Sequence, residues 1–120
     1  MTADADIKIY YANLGGFDTH VGQKNKQARL LKTYSEAMSA FVKDLKNNGL
    51  LDDTLIMTFS EFGRRVQQNA AGGTDHGAAN NIFLIGENLK KKGFYNDAPN
   101  LLNLDNNGDL IHTVDFRSVY

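Results

Sequence analysis

Apolar positions in this chain change period several times, and each change marks an element. Ile7 to Ala12 is a short run of β-branched and aromatic residues bounded by Asn13 and the pair Gly15-Gly16, which predicts a buried strand. From Asn25 to Asn48 the residues Leu30, Tyr34, Ala37, Met38, Phe41, Val42 and Leu45 recur at helical spacing. They predict one long helix with Asn25 as N-cap and Gly49 as its stop. Thr54 to Phe59 (TLIMTF) is nearly continuously apolar, the pattern of a strand covered on both faces in a parallel sheet. Asn81 to Ile85 predicts a further apolar strand.

Between and after these elements the chain is polar and rich in glycine. The segments around Asp18, Ser60 to Arg64 and Gly73 to Gly77 read as loops, and Lys90 to Pro99 reads as a surface connection. Leu101 to Leu104 and Leu110 to His112 are expected to flank the turn Asp105-Asn106-Asn107-Gly108 as a hairpin. Thr113 is the expected N-cap of a helix beginning at Val114. Strand, helix, strand, loop, strand is the grammar of an α/β fold. The expectation is therefore one α/β domain over residues 1–120, with a mostly parallel sheet flanked by helices. A start close to a core strand and an end within an amphipathic element suggest a piece of a larger domain. Strand edges exposed in such a piece would invite a homodimer.

Composition narrows the function classes. With 13 Lys plus Arg against 14 Asp plus Glu there is no global field to attract a polyanion, so nucleic acid is a poor partner. The absence of cysteine excludes thiolate catalysis, zinc ribbons and disulfide scaffolds. No apolar run approaches the ~20 residues of a membrane span. The start MTADADIKIYYA lacks the basic and apolar regions of a signal peptide, and the compartment is left open.

Three polar clusters carry the candidate chemistry: Asp18-Thr19-His20, Ser60-Glu61 with Arg64, and Asp75-His76. Each lies in a glycine-containing loop after or between expected strands, where an open α/β sheet gathers its ligand-binding loops. Two imidazoles and two or three carboxylates supply the N and O donors that zinc accepts, and with more oxygen donors manganese or magnesium also fits. Such an ion polarises a phosphoryl or sulfuryl oxygen or acidifies a water. Arg64 could add a forked contact to an oxyanion. Every residue also has a plainer reading. Asp18 alone suits an Asx turn, His20 an exposed loop, Glu61 surface charge, and Asp75 a turn or cap. Asp105 to Asp109 begins like a calcium loop, but Leu110 and Phe116 stand where glycine and glutamate are required, so it reads as a turn. His112, beside Leu110 and Ile111, reads as structural, and Ser60 lacks the flanking glycines of a nucleophile elbow.

Gly15-Gly16-Phe17-Asp18-Thr19-His20, Leu50-Leu51-Asp52-Asp53-Thr54, Ser60-Glu61-Phe62-Gly63-Arg64, Gly73-Thr74-Asp75-His76 and the closing Asp115-Phe116-Arg117-Ser118-Val119-Tyr120 occur in order. With these motifs the chain resembles an often secreted bacterial family, a domain of unknown function related to sulfatases in the alkaline phosphatase-like superfamily. The resemblance implies an α/β/α sandwich, of which this would be the C-terminal part, and hydrolysis of small phosphate or sulfate esters at two metals. It implies that Asp18, His20 and His76 bind one metal. Glu61 falls where an Asp-His pair binds the second, and is expected as a ligand there or as a water-orienting base. Phe62 stands in place of that histidine and cannot ligate. The family's nucleophile and first acidic ligand have no counterpart here, so the chain alone should lack turnover. A periplasmic or secreted parent protein is also implied. The alternative is a non-catalytic α/β binding or assembly module.

Overall fold

The computed structural model describes residues 8–119. Its largest element is helix α1, Gln23–Asn47. Leu30, Tyr34, Met38, Val42 and Leu45 form the less exposed stripe along it, as their spacing predicts. The helix begins two residues before Asn25, and Gly22 takes the N-cap position in the left-handed conformation, φ 54°. Gly22 has no side chain to cap with, and backbone does the work instead. The carbonyls of Ala71 and Gly72 accept the N–H groups of Gly22 and Gln23 at 3.1 and 3.0 Å. The C-terminus follows its sequence signal. Gly49 turns left-handed at φ 65°, its N–H reaches Lys46 O, and the Leu50 N–H reaches Leu45 O, which is a Schellman closure.

Four short strands follow: β1 Ile56–Thr58, β2 Gly63–Gln68, β3 Thr74–Gly77 and β4 Phe83–Ile85. They form two separate two-stranded sheets, β1 with β4 and β2 with β3, and both pairs are antiparallel. This overturns the expected mostly parallel sheet flanked by helices. The cause lies in residues 60–77, read above as loop but folded as the β2–β3 hairpin. That excursion brings the chain back to the end of β1 it left, so Phe83 pairs with Thr58. A parallel pairing would need a crossover to the opposite end. An apolar run carries no information about strand direction.

Residues 8–12 form no strand, and Ile9 and Tyr11 are 87% and 80% exposed. Without a neighbouring strand to complete a ladder, β propensity alone does not make one. Ile7, the first residue of that expected strand, lies outside the described residues. The hairpin expected around 105–108 is present in reduced form, as a single antiparallel bridge from Leu104 to Leu110. Asp105 builds its turn by accepting the N–H groups of Asn107 and Asp109 at 2.8 and 2.9 Å. At the end of the chain Thr113 caps nothing. Asp115 instead accepts the Arg117 N–H and opens a single 3-10 turn, Phe116–Ser118.

The core sits between α1 and the β1–β4 sheet. Among the described residues the buried apolar side chains are Leu45 and Leu51. The Tyr34 hydroxyl meets the Thr58 hydroxyl at 2.8 Å, and Ile85 shares a groove with Met38 and Val42. Ile56, Thr58, Phe83 and Ile85 therefore point toward the helix, while alternation sends Leu55, Met57, Phe59 and Leu84 to the other face. Leu55 and Phe59 are 64% and 46% exposed there. Both faces are apolar, but the expected coverage of both is not met: the helix lies against one face, and even there Phe83 is 56% exposed. Among the described residues no helix is long and apolar enough to cross a membrane.

Candidate metal centre

The β2–β3 hairpin is the platform of the site. Gly63 pairs with Gly77 and Arg64 with His76. A Cβ on Gly63 would lie 1.7 Å from the Ala79 carbonyl oxygen, and one on Gly77 would lie 2.7 Å from the Arg64 backbone, so only glycine allows this close approach. Arg64 and His76, being cross-strand partners, project from one face, and Phe62, two residues before Arg64, joins them. The Phe62 and His76 rings stack at 3.8 Å with an interplanar angle of 13°. The Arg64 guanidinium lies 5.0 Å from the centre of the Phe62 ring.

The loop before α1 supplies the other two residues. Thr19 is buried, with its hydroxyl donating to Phe17 O and accepting from Gln27 Nε2, and Asp18 and His20 on either side of it lie at the surface. Arg64 joins this loop to the hairpin. Its two terminal nitrogens donate to Phe17 O and Thr74 O, both at 2.6 Å, so one guanidinium holds the residue before Asp18 and a residue two before His76.

The turn between β2 and β3 grips the same loop from the other side. Asn69 donates to His20 O at 3.1 Å and accepts the N–H groups of Ala71 and Gly73 at 3.0 Å. Gly73 packs so closely that a Cβ there would lie 2.3 Å from His20 O. Thr74 Oγ1 donates to Gln23 Oε1 at 3.0 Å.

These constraints bring Asp18, His20 and His76 together, with one potential ligand atom from each lying within 4.8 Å of the others. One oxygen, Asp18 Oδ1, lies 2.9 Å from both His20 Nδ1 and His76 Nε2. The hydrogen bond from His76 holds the Asp18 carboxyl below the usual carboxylate range. Partial desolvation opposes that shift, and the nearby His20, His76 and Arg64 charges reinforce it. The donor set suits a borderline divalent cation, with two imidazole nitrogens and an oxygen that stays ionised. Donors of a tetrahedral zinc site at ~2.1 Å lie roughly 3.4 Å apart, so the two 2.9 Å contacts would open by about half an ångström, while the two imidazole nitrogens, within 4.8 Å of each other, would settle to the same spacing. The side chains are 42% to 64% exposed, which leaves room for further ligands on the solvent side.

The other expected site residues are placed differently. Glu61 is exposed, immediately before Phe62, and is not among the three clustered ligands. Arg64 is 17% exposed, 3.8 Å from Asp18 Oδ1, and engaged with two carbonyls. Asp75 accepts from Asn69 Nδ2 at 3.1 Å, and His112 is exposed outside the group. Asn69, Phe62 and Gly73 are the supporting residues that sequence reasoning missed. The run Asn69-Ala70-Ala71-Gly72-Gly73 carries turn chemistry that could have revealed a tight hairpin, since an Asn side chain often bonds backbone two residues on.

No curated protein and no solved structure matches the chain. A family model described as "Protein of unknown function (DUF1501)" does match, over residues 1–114. The ordered motifs around Asp18, Glu61 and His76 all fall within that span, and the chain belongs to this family.

Proposed function

We propose that this chain supplies the metal-binding portion of a site that hydrolyses small phosphate or sulfate esters, with Asp18, His20 and His76 as ligands of one divalent cation, zinc foremost. The observation that carries this reading is the meeting of Asp18 and His20 with His76, 58 and 56 positions further along the chain, around one carboxylate oxygen. A surface triad assembled by a buried threonine, a two-armed arginine and glycines that admit no side chain is more constrained than a loop Asp in an Asx turn requires. The order Asp18-x-His20, then His76, supports a kinship in site chemistry with the alkaline phosphatase-like superfamily, and with it an exported parent protein.

A divalent cation held there would supply Lewis-acid polarisation of an ester oxygen and a more acidic water. The chain's own residues supply the setting. Asp18 contributes the fixed negative charge, and His20 and His76 contribute neutral donors. Arg64 keeps positive charge beside them, and the N–H groups left over from its two carbonyl bonds suit an oxyanion. Glu61, outside the triad, is proposed as a ligand of a second cation or as a water-orienting base. Ser60, whose hydroxyl donates to Phe62 O at 3.1 Å, is not assigned the nucleophile's role. A side-chain nucleophile of the superfamily's Ser or Thr type, in this reading, comes from outside the chain.

The test is a titration of the purified chain with zinc and with manganese, followed by elemental analysis after dialysis. Wild type is expected to retain about one zinc per chain, as a single three-ligand site predicts. A double variant, His20→Ala with His76→Ala, is expected to retain almost none. Equal retention by the two proteins would overturn the assignment.

A further inference from the structure

We propose that Phe62 is a positioning residue for His76, an aromatic plate that holds the imidazole with Nε2 turned toward Asp18. The inference rests on the metal-site reading above and adds to it a residue that touches no cation. The χ2 torsion of a histidine is broad and roughly two-fold, so a lone imidazole on an exposed strand sweeps a wide arc. His76 is 44% exposed on β3, where the tilted His20 ring lies 4.7 Å away on centroids and the Phe62 ring is the one stacked parallel to it. Stacking against Phe62 at 3.8 Å and 13° confines the ring to one plane, and the bond to Asp18 at 2.9 Å selects which of the two flipped orientations within that plane is kept.

Phe62 is well suited to this task. It has no atom that competes for the cation, and a face-on stack leaves both in-plane nitrogens of the imidazole free. The plate is itself fixed. Phe62 is half-buried, the Arg64 guanidinium lies 5.0 Å from its ring centre, and Arg64 is anchored by two carbonyls. The backbone register that pairs Arg64 with His76 places Phe62 diagonally across the hairpin from the imidazole, within aromatic reach. The glycine pair Gly63 and Gly77 lies between them in the ladder and adds no side chain to obstruct the stack.

The proposal is tested with the metal-free chain and with zinc. In the metal-free wild type, the His76 ring protons are expected to show nuclear Overhauser contacts to the Phe62 ring and an upfield ring-current shift that Phe62→Leu reduces to the smaller contribution of His20. Phe62→Leu is expected to weaken zinc binding by about 10- to 100-fold, the range for residues that orient metal ligands. Phe62→Tyr, which keeps the ring, is expected to stay close to wild type in both readouts. The absence of ring-to-ring contacts in the wild type overturns the proposal, and that measurement depends on neither zinc nor the folding of a variant. Wild-type zinc affinity in a folded Phe62→Leu protein overturns it as well. A wild type that shows the stack but takes up no zinc contradicts the metal site itself, and so separates the two readings.

Discussion

Exchange of Asp18 for asparagine is expected to weaken zinc binding by more than about a hundredfold, beyond the 10- to 100-fold typical of residues that only orient a ligand. Asp18 is the one member of the triad that both histidines approach, each at 2.9 Å from the same oxygen. The amide keeps the shape and can still accept a hydrogen bond, but it has lost the negative charge and the ionised donor. The side chain is 64% exposed, and the loop is held through Phe17 O, Thr19 and His20 O, so the fold should survive. Isothermal titration with zinc, alongside far-UV circular dichroism, reads both quantities. Tight zinc binding by a folded Asp18→Asn chain would remove Asp18 from the ligand set. Because the His76 bond keeps the Asp18 carboxyl below its usual range, mild acid leaves the aspartate ionised.

Gly73→Ala is expected to damage stability and site together. The added methyl would lie 2.3 Å from His20 O and 2.4 Å from the His20 carbonyl carbon, and neither is the yielding end of a flexible side chain. Relief requires the β2–β3 turn and the His20 loop to part, which strains the Asn69 bond to His20 O and the backbone bonds from Gly22 and Gln23 to Ala71 and Gly72. Overpacking of this kind costs about 1–3 kcal/mol. That corresponds to a fall of roughly 5–15 °C in thermal midpoint for a chain near this size. Zinc affinity should fall with it, since His20 moves relative to His76. Gly72→Ala is a useful contrast, because a methyl there meets nothing within 4 Å and the strain comes only from its positive φ of 73°. A Gly73→Ala midpoint equal to that of wild type would contradict the packing described.

The candidate site was more legible in the sequence than the fold. Residue type and position marked the clusters that carry Asp18, His20 and His76, and the family resemblance joined the three as one ligand set; neither signal depends on sheet direction. The helix was legible for a similar reason, since a stripe from Leu30 to Leu45 with Gly49 behind it has one physical interpretation. Strand direction was not. TLIMTF predicts a strand covered on both faces; β1 is apolar on both but exposed on one, and its pairing direction depends on a return through a hairpin whose polar strands GRRVQQ and TDHG carry little apolar alternation. The same hairpin explains why the site assembled even though the expected parallel sheet is absent. Ligand convergence was expected from loops at one sheet edge, and it comes instead from Arg64 tying Phe17 O to Thr74 O. Exposed Ile9 and Tyr11 teach the complementary lesson, that β-prone residues form a strand only where another strand receives them.

X-ray absorption at the zinc edge of the loaded chain reads directly whether Asp18, His20 and His76 hold one divalent cation together. A first shell of nitrogen and oxygen at ~2.0–2.2 Å with the multiple-scattering signature of two imidazoles is expected. In the His20→Ala or the His76→Ala single variant that signature should drop to one imidazole. A zinc shell without imidazole scattering, or one unchanged by either substitution, would contradict it.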